Sequence, residues 1–465
     1  MSDIDNRDRP TAIVIGASVT GLLAASVLAE FADVTLIERD TLPEGPEGRK
    51  GVPQARHAHL LWSGGVNAFE ELLPGLINDI VAKGARLVHI MGDMVSRSPS
   101  KVWFRRFEHT HHRNLVCSRD LLDYALRQRV LSNARITLRE NTSVEALEGD
   151  ATRVTGVRIR IGTDERTLSA DMVIDASGRG SRAPAWLESL GLPRVTEREV
   201  NAGVAYATRI YQAPAATVGT FPLINVQATP AQAPGQGGII LPIEDGRWIV
   251  TLSGTRGGEP TNDPSAFADY ALGLGDPIIG ELIKGAEPLG EVATTRSTAN
   301  QRRYYEKMDR WPAGFVVLGD AIAGYNPVYG HGLTVAAQCA VALRDFLRST
   351  SITAPGAARR IQRAAARPVG GAWDLAVGQD AVYPGASDTP PTAVEKLLSQ
   401  FVDRAVDTGA RNPRALGALL DVMSLEKPAT RLFSPDMLLP MLFGPKRPHL
   451  AGPPLSDAER KSALS

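Results

Sequence analysis

Thr11-Ala12-Ile13-Val14-Ile15-Gly16-Ala17-Ser18-Val19-Thr20-Gly21 is a β-branched run that breaks at once into a glycine turn. The run suits a buried parallel strand. Leu22 to Phe31 then sets small and apolar residues at helical spacing, and Val34 to Ile37 is a second strand that ends at Glu38. The three pieces make a βαβ unit of about thirty residues. Gly16 permits the sharp reversal and Gly21 lets the helix lie close to the sheet. The helix N-terminus offers amide donors and a positive dipole end to a pyrophosphate. Ser18 stands where a middle glycine is usual; it is small enough, but narrows the approach. Glu38 lies seventeen residues past Gly21, where a carboxylate can accept both ribose hydroxyls of an adenosine. Gly16, Ala17, Ser18, Thr20, Gly21 and Glu38 are therefore expected to hold a dinucleotide.

A second block decides which dinucleotide. Gly319-Asp320-Ala321 follows the buried strand Phe315 to Leu318, and Asn326-Pro327 and Gly330-His331-Gly332-Leu333 come after it. A carboxylate at Asp320 can bind a ribityl chain. Pro327 cannot donate a hydrogen bond and can wall an isoalloxazine. Gly330 and Gly332 open a helix from Leu333 to Leu347, whose amides and dipole stabilise negative charge on the N1–C2=O edge of a reduced flavin. The two blocks together predict FAD. Gly178, in the turn Asp175-Ala176-Ser177-Gly178-Arg179-Gly180 after the strand Met172 to Ile174, joins the expected cofactor contacts.

The chain has 465 residues, enough for two domains or one bilobal unit, and Lys+Arg balance Asp+Glu at 51 each. Nothing in that balance suggests a polyanionic partner, so nucleic acid is not expected. Cys117 and Cys339 lie far apart, give no metal or redox spacing, and suit a reduced, cytoplasmic setting. The apolar stretch from Ala12 to Leu28 follows Arg7 and Arg9. Asp3, Asp5 and Asp8 dilute that basic flank, and the glycines interrupt the run, so strand–turn–helix explains it better than a signal peptide. No other apolar run reaches membrane-spanning length.

Elsewhere, Asp40 to Pro53 reads as a loop, and Leu121 to Leu131 as a helix capped by Ser118. Val204–Tyr211, Gly238–Ile243 and Trp248–Leu252, with the turn Glu244-Asp245-Gly246-Arg247, read as a hairpin-rich sheet in a layer of its own. Beyond Ser351 the pattern is mostly helical, with breaks at Pro384 and Pro390-Pro391. The expected class is α/β: a Rossmann-like FAD-binding domain (1–78, 113–185 and 290–350), an inserted β-sheet substrate domain (79–112 and 186–289), and a helical C-terminal region (351–465).

The glycine turn with Glu38-Arg39, the Arg119-x-x-Leu122 element and the Gly319-Asp320…Pro327…Gly330-x-Gly332 block together resemble FAD-dependent monooxygenases of the p-hydroxybenzoate hydroxylase fold. Arg49-Lys50-Gly51-Val52-Pro53-Gln54-Ala55-Arg56-His57-Ala58-His59, with Leu61-Trp62-Ser63-Gly64-Gly65, is similar to the bacterial epoxidases of the lasalocid and monensin polyether pathways. The resemblance implies that Arg119 reaches the pyrophosphate or ribityl region and that Arg39 stacks beside the adenine. It also implies that Arg49 lies near the phosphates, that Val144 meets the adenine through its backbone, and that Gln54, Arg56 and His57 approach the flavin. The implied activity uses NAD(P)H and O2 through a flavin C4a-hydroperoxide to epoxidise an alkene of a hydrophobic polyketide or polyene. Electrophilic transfer to an alkene needs no side-chain base, so no catalytic acid or base is assigned.

No second glycine turn for nicotinamide is present, so NAD(P)H visits transiently or a flavin reductase supplies the electrons. The alternatives are an aromatic or indole-type hydroxylase or epoxidase, an isoprenoid double-bond reductase, and a non-catalytic flavin protein. His109, His111 and His112 invite a metal reading, but no carboxylate or cysteine pattern accompanies them, and they are expected to be loop histidines. Arg105-Arg106 and Arg302-Arg303 are expected on solvated faces. The apolar Met437–Phe443 segment is expected in a core or interface, with a membrane-surface or substrate-lid role as the alternative.

Overall fold

The computed structural model describes residues 9–108, 111–229, 234–386, 393–444 and 447–464. Its centre is a five-stranded parallel sheet in the order Phe315–Val317, Met172–Asp175, Thr11–Ile15, Asp33–Ile37, Ile136–Arg139. The three strands Phe315–Val317, Met172–Asp175 and Thr11–Ile15 are almost wholly apolar and buried, as a parallel sheet covered on both faces requires, and the edge strand Ile136–Arg139 is half exposed. Helix Val19–Leu28 leaves the first strand through the glycine turn and packs on helices Arg119–Leu131 and Gly332–Leu347. Ser118 caps Arg119–Leu131, its Oγ accepting the Leu121 N–H at 3.1 Å. A three-stranded antiparallel sheet, Thr142–Gly149, Val154–Ile161 and Asp164–Ser169, packs against the central sheet through its middle strand.

The inserted layer is a six-stranded sheet in the order Pro288–Thr295, Ala205–Gln212, Arg247–Gly254, Gln236–Ile243, Leu223–Val226, Met94–Arg97. Its neighbours are antiparallel except the last pair. Strand periodicity gives it two unlike faces. Trp248, Val250 and Leu252 turn toward Phe221, Phe267 and Ile279, under the helices Phe267–Leu272 and Ile278–Ile283. Ile249 turns the other way, into a core shared with Leu416, Leu419 and Met437 of the C-terminal helices. Thr251 and Ser253 share the parity of Ile249, and face Thr208 and Tyr206 in register on the neighbouring strand.

The C-terminal helices Ala357–Asp380, Ala393–Gly409, Pro413–Met423 and Pro435–Phe443 wrap both layers. The core of the parallel-sheet part continues into the first of them: Ile361, Ala365, Val369 and Trp373 are buried with Val317 and Leu343. Gln362 extends the central sheet edge, accepting the Val317 N–H at 2.8 Å and donating to the Val317 carbonyl at 3.1 Å. Among the described residues no helix is long and apolar enough to cross a membrane. Of the expected breaks, Pro390-Pro391 falls outside the described residues, as does His109.

Two expectations change. Arg302 and Arg303 are not on a solvated face; both are buried. Arg302 pairs with Glu306 at 2.8 Å, and Arg303 donates to the Ala321 carbonyl at 3.1 Å, bracing the Gly319–Ala321 turn from behind. In the Met437–Phe443 segment only Met437 is buried, while Leu439, Leu442 and Phe443 are exposed.

Candidate functional site: a groove built from two distant motifs

The glycine turn closes as its residues demand. Gly16 adopts φ +96°, and a Cβ there would stand 2.8 Å from the Ala176 carbonyl oxygen. A Cβ at Gly21 would collide with the Gly16 carbonyl, so the helix can start this close to the strand only with glycine. The late motif meets this turn directly. Gly319 has φ +60°, and a Cβ on it would run into the Thr20 side chain. Residues 299 positions apart in the chain thus form one wall. Gly178, at φ +78°, has open space where its Cβ would be, on the neighbouring strand end.

Glu38 sits at the end of the second strand and is buried. Its Oε2 accepts the Ala17 N–H at 2.9 Å and Arg49 Nη2 at 2.7 Å, and its Oε1 accepts the Asp40 N–H at 3.1 Å. Arg49 also donates to the Ala17 carbonyl at 2.9 Å. Arg49 therefore fastens the loop after the second strand to the glycine turn. Beside this pair opens a cavity of about 350 Å³ lined by Arg39, Asp40, Pro43, Gly48, Arg49 and Asn141. Arg49 Nε and Asp40 Oδ2 are buried there with no hydrogen-bond partner among the described residues. Asp40 Oδ2 is packed against Gly51, whose missing Cβ leaves it room. Arg39 lies exposed on the rim. Val144 is buried in the strand that leaves Glu38, where the Thr142 N–H donates to the Glu38 carbonyl at 2.9 Å.

Arg119 is buried beside the turn; it pairs with Asp123 at 2.7 Å and donates to Ser18 Oγ at 3.2 Å. Asp320 is half-buried, and burial pushes its carboxyl above the usual range, against the pull of the Arg179 and Arg119 charges. Pro327 and Val328 are exposed on the following turn. Gly330 adopts φ +67° there, and Trp62 Nε1 donates to the Tyr329 carbonyl at 3.0 Å. Gly332 starts the helix, with Asp320 Oδ1 3.8 Å from where its Cβ would be. The glycine turn and the Gly319–Ala321 turn thus meet through Gly319 and Thr20, with Arg119 bonded to Ser18 beside them.

Under that turn lies a polar cluster the sequence did not disclose. Asp380, buried at the end of helix Ala357–Asp380, accepts from Asn300 Nδ2 at 2.6 Å, from Asn326 Nδ2 at 3.0 Å and from the Tyr329 hydroxyl. Tyr206 donates to Asn326 Oδ1 at 2.7 Å. Burial raises the Asp380 carboxyl, opposed by its hydrogen bonds from Tyr329, Asn326 and Asn300. The cluster joins the flavin-side turn to the inserted sheet and to the C-terminal helices. No local pattern marks Asp380; only its place as the last residue of a long helix brings it there.

The loop Pro53–Arg56 leaves Gln54 and Arg56 exposed, and turns His57 inward. His57 Nδ1 lies 2.8 Å from Thr208 Oγ1, which lies 2.7 Å from Thr251 Oγ1, and Thr251 accepts the Ala58 N–H at 2.9 Å. Burial, then the Arg56 charge, pushes His57 down to about 4, so the ring is neutral at pH 7. His59 points the other way, its Nδ1 on the His57 carbonyl at 2.8 Å. Burial, then the Arg119 charge, pushes it down to about 3.

The absence of a carboxylate near the histidines of residues 111 and 112 does not survive folding. His112 Nε2 lies 3.1 Å from Asp421 Oδ1, and His111 Nε2 3.2 Å from Glu426 Oε2. The carboxylates come from 309 and 315 residues away, so no spacing rule could have found them.

Comparison with known proteins gives the family. A family model described as an FAD binding domain matches residues 9–354, well over half of the chain. Protein Rv3254 of Mycobacterium tuberculosis is 34% identical over 415 residues, covering 85% of this chain and 86% of that one. Kynurenine 3-monooxygenase of Salinispora tropica is 25% identical over 384 residues, covering 76% and 77%. Among solved structures, the flavin-dependent brominase Bmp2 superposes with a TM-score of 0.62 at 16% identity, covering 89% of this chain and 93% of that one, a likeness of fold alone. The chain belongs to the FAD-binding family of flavin-dependent monooxygenases.

Proposed function

We propose that this protein is an NAD(P)H-dependent monooxygenase that epoxidises an alkene in a hydrophobic natural product of the polyketide or polyene class. The observation that carries the monooxygenase reading is the contact of Gly319 with Thr20, which sets two remote flavin motifs side by side. When bound, reduced FAD supplies the activation of O2 and an electrophilic oxygen. In this reading Glu38 and Arg49 hold the adenosine end, Arg119 and the amides after Gly16 face the pyrophosphate, and Asp320 takes the ribityl chain. Gly178 and Val144 complete the cofactor wall. Pro327 flanks the ring, and the helix N-terminus that Gly332 opens stabilises the negative charge of its reduced edge, the Gly330 N–H being taken by the Pro327 carbonyl at 3.0 Å. Asp380, Asn326 and Tyr206 keep that turn in place, and the protein otherwise orients the double bond and excludes water. The alkene itself is supported by the Arg49–Gly65 run, whose Arg49 and Gly64 both have structural tasks at this groove or beside it.

One observation favours a second reading, hydroxylation of a phenol or other aromatic. The neutral His57 ring, continued through Thr208 and Thr251, is a chain of exchangeable protons next to Tyr206, with ring centroids 6.0 Å apart. Such a chain offers hydrogen-bond partners to a phenolic hydroxyl, a group an alkene lacks. Anaerobic reduction with NADPH or NADH, then O2 with a polyene in one arm and a phenol in the other, separates the readings. Epoxide from the polyene arm supports the proposal, hydroxylated phenol alone supports the second reading, and no oxygenated product in either arm overturns both.

A further inference from the structure

We propose that His111, His112, Asp421 and Glu426 bind a first-row divalent metal ion, best matched by Zn2+, which clips the C-terminal helices to the flavin groove. One donor atom from each of these residues lies within 4.8 Å of all the others. Zinc–ligand bonds of about 2.0–2.1 Å put neighbouring donors of a tetrahedron about 3.3 Å apart. The two histidine–carboxylate pairs stand at 3.1 and 3.2 Å, so each already has that spacing. What must close is the gap between pairs, and His111 is exposed enough to swing across it. Two imidazoles and two carboxylates form a donor set that zinc accepts readily, whereas magnesium and calcium prefer oxygen alone.

The surroundings have the form of an outer shell. Asp421 turns Oδ1 to His112 and gives Oδ2 to Arg431 at 2.7 Å. Glu426 turns Oε2 to His111 and takes the Ser63 hydroxyl on Oε1. Each carboxylate is thus oriented by one separate donor, leaving its inner oxygen for the cluster. Asp421 shares the Arg431 guanidinium with Asp436, at 2.7 and 2.8 Å, so one positive charge serves two carboxylates where His112 is nearly fully buried. The backbone between the two carboxylates doubles back to bring them together. Leu425 adopts φ +58°, and the Asp421 carbonyl accepts the N–H groups of both Glu426 and Lys427.

The position explains what a clip would do. A Cβ at Gly64 would collide with the Ser424 carbonyl, so Ser63-Gly64 lets the 421–426 turn close on the helix Ser63–Leu72. The Met423 carbonyl accepts from His331 at 3.0 Å and the Leu425 carbonyl from Gln338 at 2.9 Å, on the helix that Gly332 opens. A metal here would fix the C-terminal helices against the same helix N-terminus that faces the flavin.

The test uses untagged, FAD-loaded full-length protein, stripped with EDTA and titrated with Co2+. Expected are one equivalent bound, the visible d–d absorption of four-coordinate cobalt, and loss of that band when Zn2+ is added. Because His111 is exposed, His111→Ala should fold, as retained flavin absorbance will show; it and Glu426→Gln should weaken Co2+ binding at least about tenfold, as loss of a ligand must when even an outer-shell partner is worth about 10–100-fold. Ser63→Ala should weaken it less, with the flavin content unchanged. No d–d band, or a band that His111→Ala and Glu426→Gln leave intact, would overturn the proposal and leave two histidine–carboxylate hydrogen-bonded pairs. Neither outcome bears on whether the protein is a monooxygenase, since binding is read without turnover.

Discussion

The two ends of the proposed FAD site are built differently. At the nucleotide end, the glycine turn, Glu38 and Arg49 come from the single stretch Gly16–Arg49 and act mostly through backbone amides and one buried ion pair. At the ring end, Tyr206, Asn300, Asn326, Tyr329 and Asp380 come from three separate regions of the chain and act through side chains. The first end is made by local backbone geometry. The second exists only after the inserted sheet and the C-terminal helices have docked. Substitutions at the first should therefore change whether FAD is held, and substitutions at the second what the bound flavin does.

The largest effect should come from Gly21→Val. Its Cβ would strike the Gly16 carbonyl, and backbone cannot move aside as a flexible side chain can. The expected outcome is protein with no retained flavin absorbance, and aggregation on expression. Arg49→Met comes next. It leaves Glu38 buried with amide donors only, so stability should fall by about 3–5 kcal/mol, the usual cost of breaking a buried pair from one side. Flavin titration should show weakened binding, while turnover per bound flavin stays close to the parent's.

Asp380→Ala should do the reverse. Three donors lose their acceptor, and each costs about 1–3 kcal/mol when buried unsatisfied. Release of the Asn326–Gly330 turn should lower product formation per bound flavin by about a hundredfold, the scale of a 1 Å misplacement. FAD affinity should stay within about threefold, as expected for sites without shared partners. Equal losses of affinity and turnover in both variants would erase the distinction between the two ends.

The pH dependence sharpens the ring end further. An imidazole that titrates at its ordinary 6.5 when unfolded and at about 4 when folded leaves the extra proton on the unfolded chain between those values. The stability that goes with a neutral His57 is complete above 6.5 and is lost as pH falls toward 4. Its limit is about 3 kcal/mol. His331, also pushed down to about 4 by burial, adds loss of the same sign. His57→Gln should flatten the fall of urea-unfolding stability between pH 6.5 and 4 without abolishing it. The smallest effect is expected from Ser18→Gly, which removes one long hydrogen bond to Arg119 and widens the turn. Calorimetric FAD affinity should shift by less than about 1 kcal/mol.

The same contrast explains what the sequence disclosed. The parallel strands, the glycine turn, the Ser118 cap and the Gly319–Gly332 block all follow from residues adjacent in the chain, so periodicity and turn chemistry show them. Arg303 misled because a doubled arginine usually marks solvent, and nothing nearby says that its donors reach the Ala321 carbonyl and Glu197. Asp380 ends a helix with no motif around it, and Asp421 and Glu426 reach His112 and His111 only through tertiary packing. Charge-bearing side chains that meet across hundreds of residues leave no trace in spacing.

Oxygen incorporation tests the central claim most directly. FAD-loaded protein, NADPH and a polyene are incubated under 18O2 in ordinary water, and the product is weighed by mass spectrometry. The account predicts one labelled oxygen atom per oxygenation, and none when the label is in the water instead. A product that carries hydrogen and no label, or label drawn from water, would contradict it.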